Sequence, residues 1–254
     1  MRSAVHYLPI LTTALSIAFA VEIYRHWKSK ENAPHLAWWT FGILLFGVGT
    51  ATESLITLFG WRESFFRAWY ISGALLGGSP LAQGTVYLLL SRKTANLLSV
   101  LLVIVVVLAA VCVLLTPIDY SLVEQFRPTG RVMVWGWVRA FSPLINTYAL
   151  IFLVGGAVWS ALKYRKNQAT RGRYTGNIMI AAGALLPGIG GAFTRFGLTE
   201  VLYVTELVGL SLIYAGYRTI RAEGRTSLQQ SQAQQEFHPS PQPSGSVLSE
   251  EEKK

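Results

Sequence analysis

Charge is scarce in this chain. Only 14% of its 254 residues are Asp, Glu, Lys or Arg, while 52% are hydrophobic. A soluble domain usually carries about 25% charge. The charges present are also clustered between long apolar runs, which a soluble fold has no reason to do. Cysteine is nearly absent. The single one, Cys112, lies in the run LLVIVVVLAAVCVLL and excludes an intrachain disulfide and any multi-cysteine metal site. The four histidines (His6, His26, His35 and His238) lie outside the deep parts of the apolar runs, so paired axial ligation of haem or chlorophyll has no support. No lysine falls inside a run, which removes a retinal Schiff base, and HExxH, GxSxG and P-loop patterns do not occur. These absences lead us to expect no catalytic residue, no metal and no cofactor, and hence no enzyme.

What remains is apolar length. Seven stretches are each long enough to cross a hydrocarbon core of about 30 Å. They lie near 6–25, 36–59, 65–90, 95–117, 133–162, 174–194 and 200–220. Backbone groups in lipid must be satisfied within the segment, so the predicted fold is all-α: a polytopic bundle of seven transmembrane helices over residues 1–225. The connections after the first, third, fifth and seventh stretches carry 13 basic residues, against six on the other side (Arg2, Arg62, Arg67, Arg127, Arg131 and Arg195). The positive-inside rule then puts the N-terminus outside and the C-terminus in the cytoplasm of a cell membrane. The net charge of +9 is spread over short loops, which suits lipid head groups and not nucleic acid. Met1–Ala20 ends in AFA like a signal-peptidase site, but cleavage there would leave Arg25, Lys28 and Lys30 outside. A retained first helix is expected.

Tryptophans sit where interfaces would be. Trp38 and Trp39 open the second stretch, Trp61 and Trp69 flank the turn into the third, and Trp135 and Trp137 open the fifth. Amphipathic rings prefer that level, so all are read as anchors. The third and sixth stretches are broken by small residues and proline, in SGALLGGSPLAQG and AAGALLPGIGG. Close packing with a static kink is the simplest reading of both.

Ionisable groups inside the apolar stretches are costly, at roughly 2.5–3.5 kcal/mol on insertion scales, and are the best functional pointers. Glu53 lies six residues from the end of the second stretch, Glu206 six into the seventh and Arg139 six into the fifth. At about 1.5 Å per residue all three share a depth of roughly 9 Å. Helical spacing groups Thr50 and Thr57 with Glu53, and Ser142 and Asn146 with Arg139, while Tyr203 lies one turn from Glu206. Arg67 sits shallower. The expectation is an outward-facing polar site of Glu53, Arg139, Glu206, Asn146, Arg67 and Tyr203 for a small ligand, in which Arg139 holds a carboxylate. An interhelical salt bridge that only fixes register is the structural alternative. Glu22 is expected to pair locally with Arg25, and Glu200 to complement a helix dipole.

Residues 226–254 are rich in Gln, Ser and Pro and read as a disordered cytoplasmic tail. Before them, RGRYTGNIMIAAGALLPGIGGAFTRFG followed by TEVLYVTELVGLSLIYAG, together with the short turn GWRES, resembles the seven-helix membrane sensor region of bacterial histidine kinases. No kinase or cyclase output domain follows in this sequence. The resemblance therefore implies a sensor-like module of a bacterial inner membrane that acts through a protein partner, in the membrane or at the tail. It carries over no binding residues. The alternatives are a small-solute or ion transporter, and a structural subunit of a larger membrane complex.

Overall fold

The computed structural model describes residues 4–167, 170–194 and 196–237. Five helices in it are long and apolar enough to cross a membrane: Ala4–Lys28, Pro34–Phe59, Arg92–Leu115, Gly136–Tyr164 and Arg171–Thr194. The other two expected spans fail that criterion for visible reasons. Residues 63–89 are helical but broken: α3 (Glu63–Trp69) runs into a π-helical turn (Tyr70–Leu75), and the chain restarts as α4 (Ser79–Leu89). Residues 199–237 form one helix, α9 (Thr199–Phe237), whose apolar half is diluted by Glu206 and tyrosines. The remaining helices are α1 (Leu8–Lys28), α2 (Pro34–Phe59), α5 (Arg92–Leu115), α6 (Phe141–Ala149), α7 (Gly156–Tyr164) and α8 (Arg171–Thr194). A second π-helical turn, Leu150–Gly155, joins α6 to α7. No strand occurs among the described residues, only two isolated β-bridges.

The distribution of side chains identifies the solvent. Thr12, Ser16, Thr40, Thr50, Thr57 and Gln83 are buried, while Leu97, Val100, Ile104, Val107, Leu108 and Leu115 of α5 are exposed. Water would select the opposite arrangement. These are helices of a membrane protein. The buried stripe of α5 is Ala95, Ser99, Leu102, Ala109 and Val113, a single narrow face.

Small residues set the packing, as expected where lipid offers no hydrophobic drive between helices. The closest pair is α8 with α9, antiparallel. Gly176, Gly183 and Gly190 recur every seven residues and face Gly216, Gly209 and Thr205. A Cβ on Gly183 would lie 2.5 Å from the Gly209 carbonyl oxygen, and one on Gly209 would lie 2.6 Å from that of Gly183. Pro187 cannot donate to the Gly183 carbonyl four residues back, and its own ring rests against Gly209. Elsewhere α1 packs on α2 and α9, and α2 packs on α4.

The two ends of the bundle differ. At one end the segment between α5 and α6 folds back on itself: Asp119 N–H donates to Val132 O at 2.8 Å, and Val134 N–H to Pro117 O at 3.0 Å. Trp61 N–H ties this segment to the α2–α3 turn through Gln125 O at 2.7 Å. The Arg127 guanidinium pairs with Glu200 at 2.7 Å, so Glu200 has an ion-pair partner besides the helix terminus. At the opposite, basic end, Glu22 corrects its expected pairing. It accepts from Arg221 Nη1 at 2.9 Å and from the Tyr214 hydroxyl at 2.6 Å, both on α9, and not from Arg25 one turn away. The basic end of α1 is thus fastened to α9. The expected disordered tail is also corrected in its first part: α9 continues as helix from residue 226 through 237, consistent with the helix-forming Gln and Ala there. Residues 238–254 lie outside the described residues.

Candidate functional site

Glycine brings α2 and the first π-helical turn together. A Cβ on Gly49 would meet Gly73 Cα at 3.1 Å, so the two backbones touch. One turn along α2, Glu53 therefore faces the third segment, with 1% of its surface exposed. The Trp69 indole N–H donates to Glu53 Oε1 at 2.8 Å. Across from it Glu206 of α9 brings a second carboxyl beside the first, and both line the same cavity. Two carboxylates side by side repel and offer each other no donor, so a proton on one member would relieve the pair. The second oxygens, Glu53 Oε2 and Glu206 Oε2, are buried and accept from no protein donor among the described residues. Among the described residues no Lys or Arg pairs with either carboxyl.

Both carboxyls line one cavity of about 840 Å³. Its walls come from α2, the broken third segment, α6 with the second π-helical turn, α8 and α9, and its mouth is formed by Pro128, Thr129 and Gly130 of the folded loop. Both π-helical turns reach it, through Gly73 and Ala74 on one side and Leu150, Leu153 and Val154 on the other. A π turn displaces the hydrogen-bond ladder by one residue and is often found at functional sites. Here Leu76 N–H reaches back five residues to Ile71 O at 3.1 Å. The helix then breaks, and the Ala74 carbonyl is taken up by Ser142 Oγ at 3.0 Å and Asn146 Nδ2 at 3.1 Å. The polar face read on the fifth segment is thus occupied with holding the third segment open.

The sequence-predicted residues separate into two groups. Glu53, Glu206, Arg139 and Asn146 share the cavity. Arg139 does not hold a carboxylate: its side chain is exposed at the mouth and donates through Nε to Gly136 O at 3.3 Å. The physical reason is local. Residues Gly136–Ala140 form a 3₁₀ turn and the α-helix starts only at Phe141, so Arg139 precedes the helix. Arg67 lies away from the cavity. It pairs with Glu63 at 2.7 Å and donates to Thr116 O at 2.9 Å and to Val113 O, capping the last carbonyls of α5. Tyr203 is fully buried behind the carboxyl pair, its ring 6.2 Å from His6 and its hydroxyl without a partner among the described residues. No group of three metal-ligating residues occurs among the described residues.

Comparison with known proteins decides nothing further. No protein-family model matches the chain, and no curated protein matches it.

Trp69 departs from the interface role expected for it with Trp61: its ring stands over the cavity and its N–H anchors Glu53. A signal was present, since a buried indole N–H seeks an acceptor and Glu53 was the nearest acid on a neighbouring segment. Trp39 likewise turns inward, donating to Leu81 O at 3.1 Å over Gly84.

Proposed function

We propose that this chain is a seven-span membrane protein, N-terminus outside and C-terminus cytoplasmic, that binds a small amphipathic organic cation between its helices. The topology reading rests on the 13-to-six distribution of basic residues and on counting the broken third segment and α9 as spans. The ligand reading rests on one observation: a buried pair of carboxyls in a large cavity, with no ion pair to an arginine or lysine among the described residues. A single positive charge completes that site, supplied either by a proton or by the ligand. Burying an unpaired carboxylate is costly, so a cation that enters gains a charge attraction strengthened by the low dielectric, and an ammonium adds a charge-assisted hydrogen bond. Apolar walls such as Ile43, Phe46 and Leu150 favour a greasy body on that cation. The chain contributes no catalytic set, and its output passes through a protein partner, as in a sensor-like or accessory module.

The test is calorimetric binding of tetraphenylphosphonium and of benzylammonium to the full chain in nanodiscs. Binding weakened about tenfold or more by Glu53→Gln or Glu206→Gln is the expected result. Unchanged binding in the double variant would sink the ligand reading.

A second reading has its own support. Leu81, Leu153 and Ile213 line both this cavity and another that opens toward the basic end. Three apolar side chains between two vestibules, one of them on a π-helical turn, are what a small-solute transporter would use as a gate. Uptake of the same cations into proteoliposomes separates the two: a sensor gives binding without flux.

A further inference from the structure

The second cavity, about 760 Å³ in volume, is lined at its rim by Lys30, Lys163, Arg173, Arg221 and Arg225. Those five cations come from the α1–α2 connection and from α7, α8 and α9, so they converge from four parts of the chain. Two are compensated: Arg221 pairs with Glu22 at 2.9 Å and Arg173 with Glu223 at 3.2 Å. Lys30, Lys163 and Arg225 form no ion pair with any described residue. Lys163 and Arg173 each lie within cation–π distance of the Tyr164 ring, at 5.9 and 5.5 Å. Beneath the rim the lining turns apolar, with Phe19, Leu81, Leu153 and Ile213 as the floor and Trp159 at the side. Asn177 and Ser160 supply polar groups between the two zones.

A surplus of three positive charges over an apolar floor fits an anion that carries a hydrocarbon chain. We infer that this cavity binds the phosphate head group of an acidic phospholipid, with the start of an acyl chain on the Phe19–Leu153 floor. A free phosphate would satisfy the rim alone. The floor favours the lipid, and each rim cation adds to attraction by an anionic leaflet. This inference is independent of the ligand proposed for the carboxyl pair, because no acid of that pair lines the second cavity.

The experiment measures retention of spin-labelled phosphatidylglycerol by the full chain in phosphatidylcholine nanodiscs. The wild type should hold phosphatidylglycerol in a motionally restricted population, and phosphatidylcholine should not show one. The double variant Lys163→Gln/Arg225→Gln should lose roughly tenfold in relative affinity. The charge-preserving Lys163→Arg/Arg225→Lys should keep most of it, which separates a binding role from a folding role. Millimolar inorganic phosphate should not displace the lipid. Equal restriction of both lipids, or full retention in the neutralised variant, overturns the inference. Displacement by inorganic phosphate overturns its lipid part and assigns the rim to a soluble anion.

Discussion

At the scale of single residues, the site depends on what each carboxyl and its donor do in the absence of water. Glu53 Oε1 accepts from the Trp69 indole N–H, its one protein donor among the described residues. Trp69→Phe removes it and leaves a third unsatisfied oxygen in the pair, at a cost of about 1–3 kcal/mol. The expected outcome is a lower melting temperature in nanodiscs. In the double variant Trp69→Phe/Glu53→Leu the two losses should sum to less than the singles predict, because the orphaned acceptor has gone too. Additive losses would place the indole elsewhere. A second residue-scale prediction concerns the folded loop. The Tyr120 hydroxyl, 2.5 Å from Glu63 Oε2, and then Arg67 hold the Glu63 carboxyl below the usual carboxylate range. A depressed folded-state value contributes stability above the unfolded-state value of about 4.3 and loses it as pH falls through the folded-state value. Protection of the loop amides against hydrogen exchange, corrected for intrinsic rates, should therefore drop on acidification below about pH 4. In Tyr120→Phe that protection should already be low at neutral pH and should depend less on acid. The hydroxyl is held protonated over a wider range by the same contact, since Glu63 raises it above the ordinary tyrosine value.

At the scale of elements, glycine placement decides which helices touch. Gly183 and Gly188 lie on the same helix and make opposite predictions. A methyl at Gly183 would press on Gly209 O and on Leu212 and Ile213 of α9, whereas one at Gly188 meets nothing within 4 Å. Gly183→Ala should lower stability by about 1–3 kcal/mol through overpacking. Gly188→Ala should be neutral or raise stability by about 0.5–1 kcal/mol, because alanine is the better helix former. Thermal unfolding of both, side by side, checks the α8–α9 interface without reference to any ligand. Equal effects would mean that the two helices do not meet along the glycine row. Element identity was largely legible in the sequence: apolar length marks a helix in lipid because no other backbone arrangement is satisfied there. Close packing of the sixth stretch was legible in its small residues and proline, but its partner was not, since a sequence does not say which helix lies opposite. The two π-helical turns were illegible. Their side chains keep an apolar pattern, and nothing in YISGAL or LIFLVG records a backbone bond displaced by one residue.

At the scale of the whole molecule, depth was the readable coordinate and azimuth was not. Equal distances from the ends of three apolar runs put Glu53 and Glu206 at one depth, and in the structure both line one cavity. The same counting put Arg139 with them, and there it failed. The count assumed regular α-helix from residue 133, whereas the chain folds as turns and 3₁₀ helix until Phe141. That shift turns an expected salt bridge into a carboxyl pair with a cationic mouth, and so changes the chemistry of the proposed ligand from one held by arginine to one that brings its own positive charge. Glu22 shows a similar limit: its partner on α9 is distant in sequence and near only because α1 and α9 are neighbours.

The most direct measurement is labelling by dicyclohexylcarbodiimide, which reacts with a carboxyl that holds a proton in apolar surroundings. The full chain in nanodiscs would be digested and the modified residue located by mass spectrometry. A shared proton between Glu53 and Glu206 predicts one adduct per chain, on one or the other of these residues, and loss of the adduct when tetraphenylphosphonium is present. Labelling confined to other acids, or labelling of Glu53 and Glu206 that the cation leaves untouched, would contradict the account.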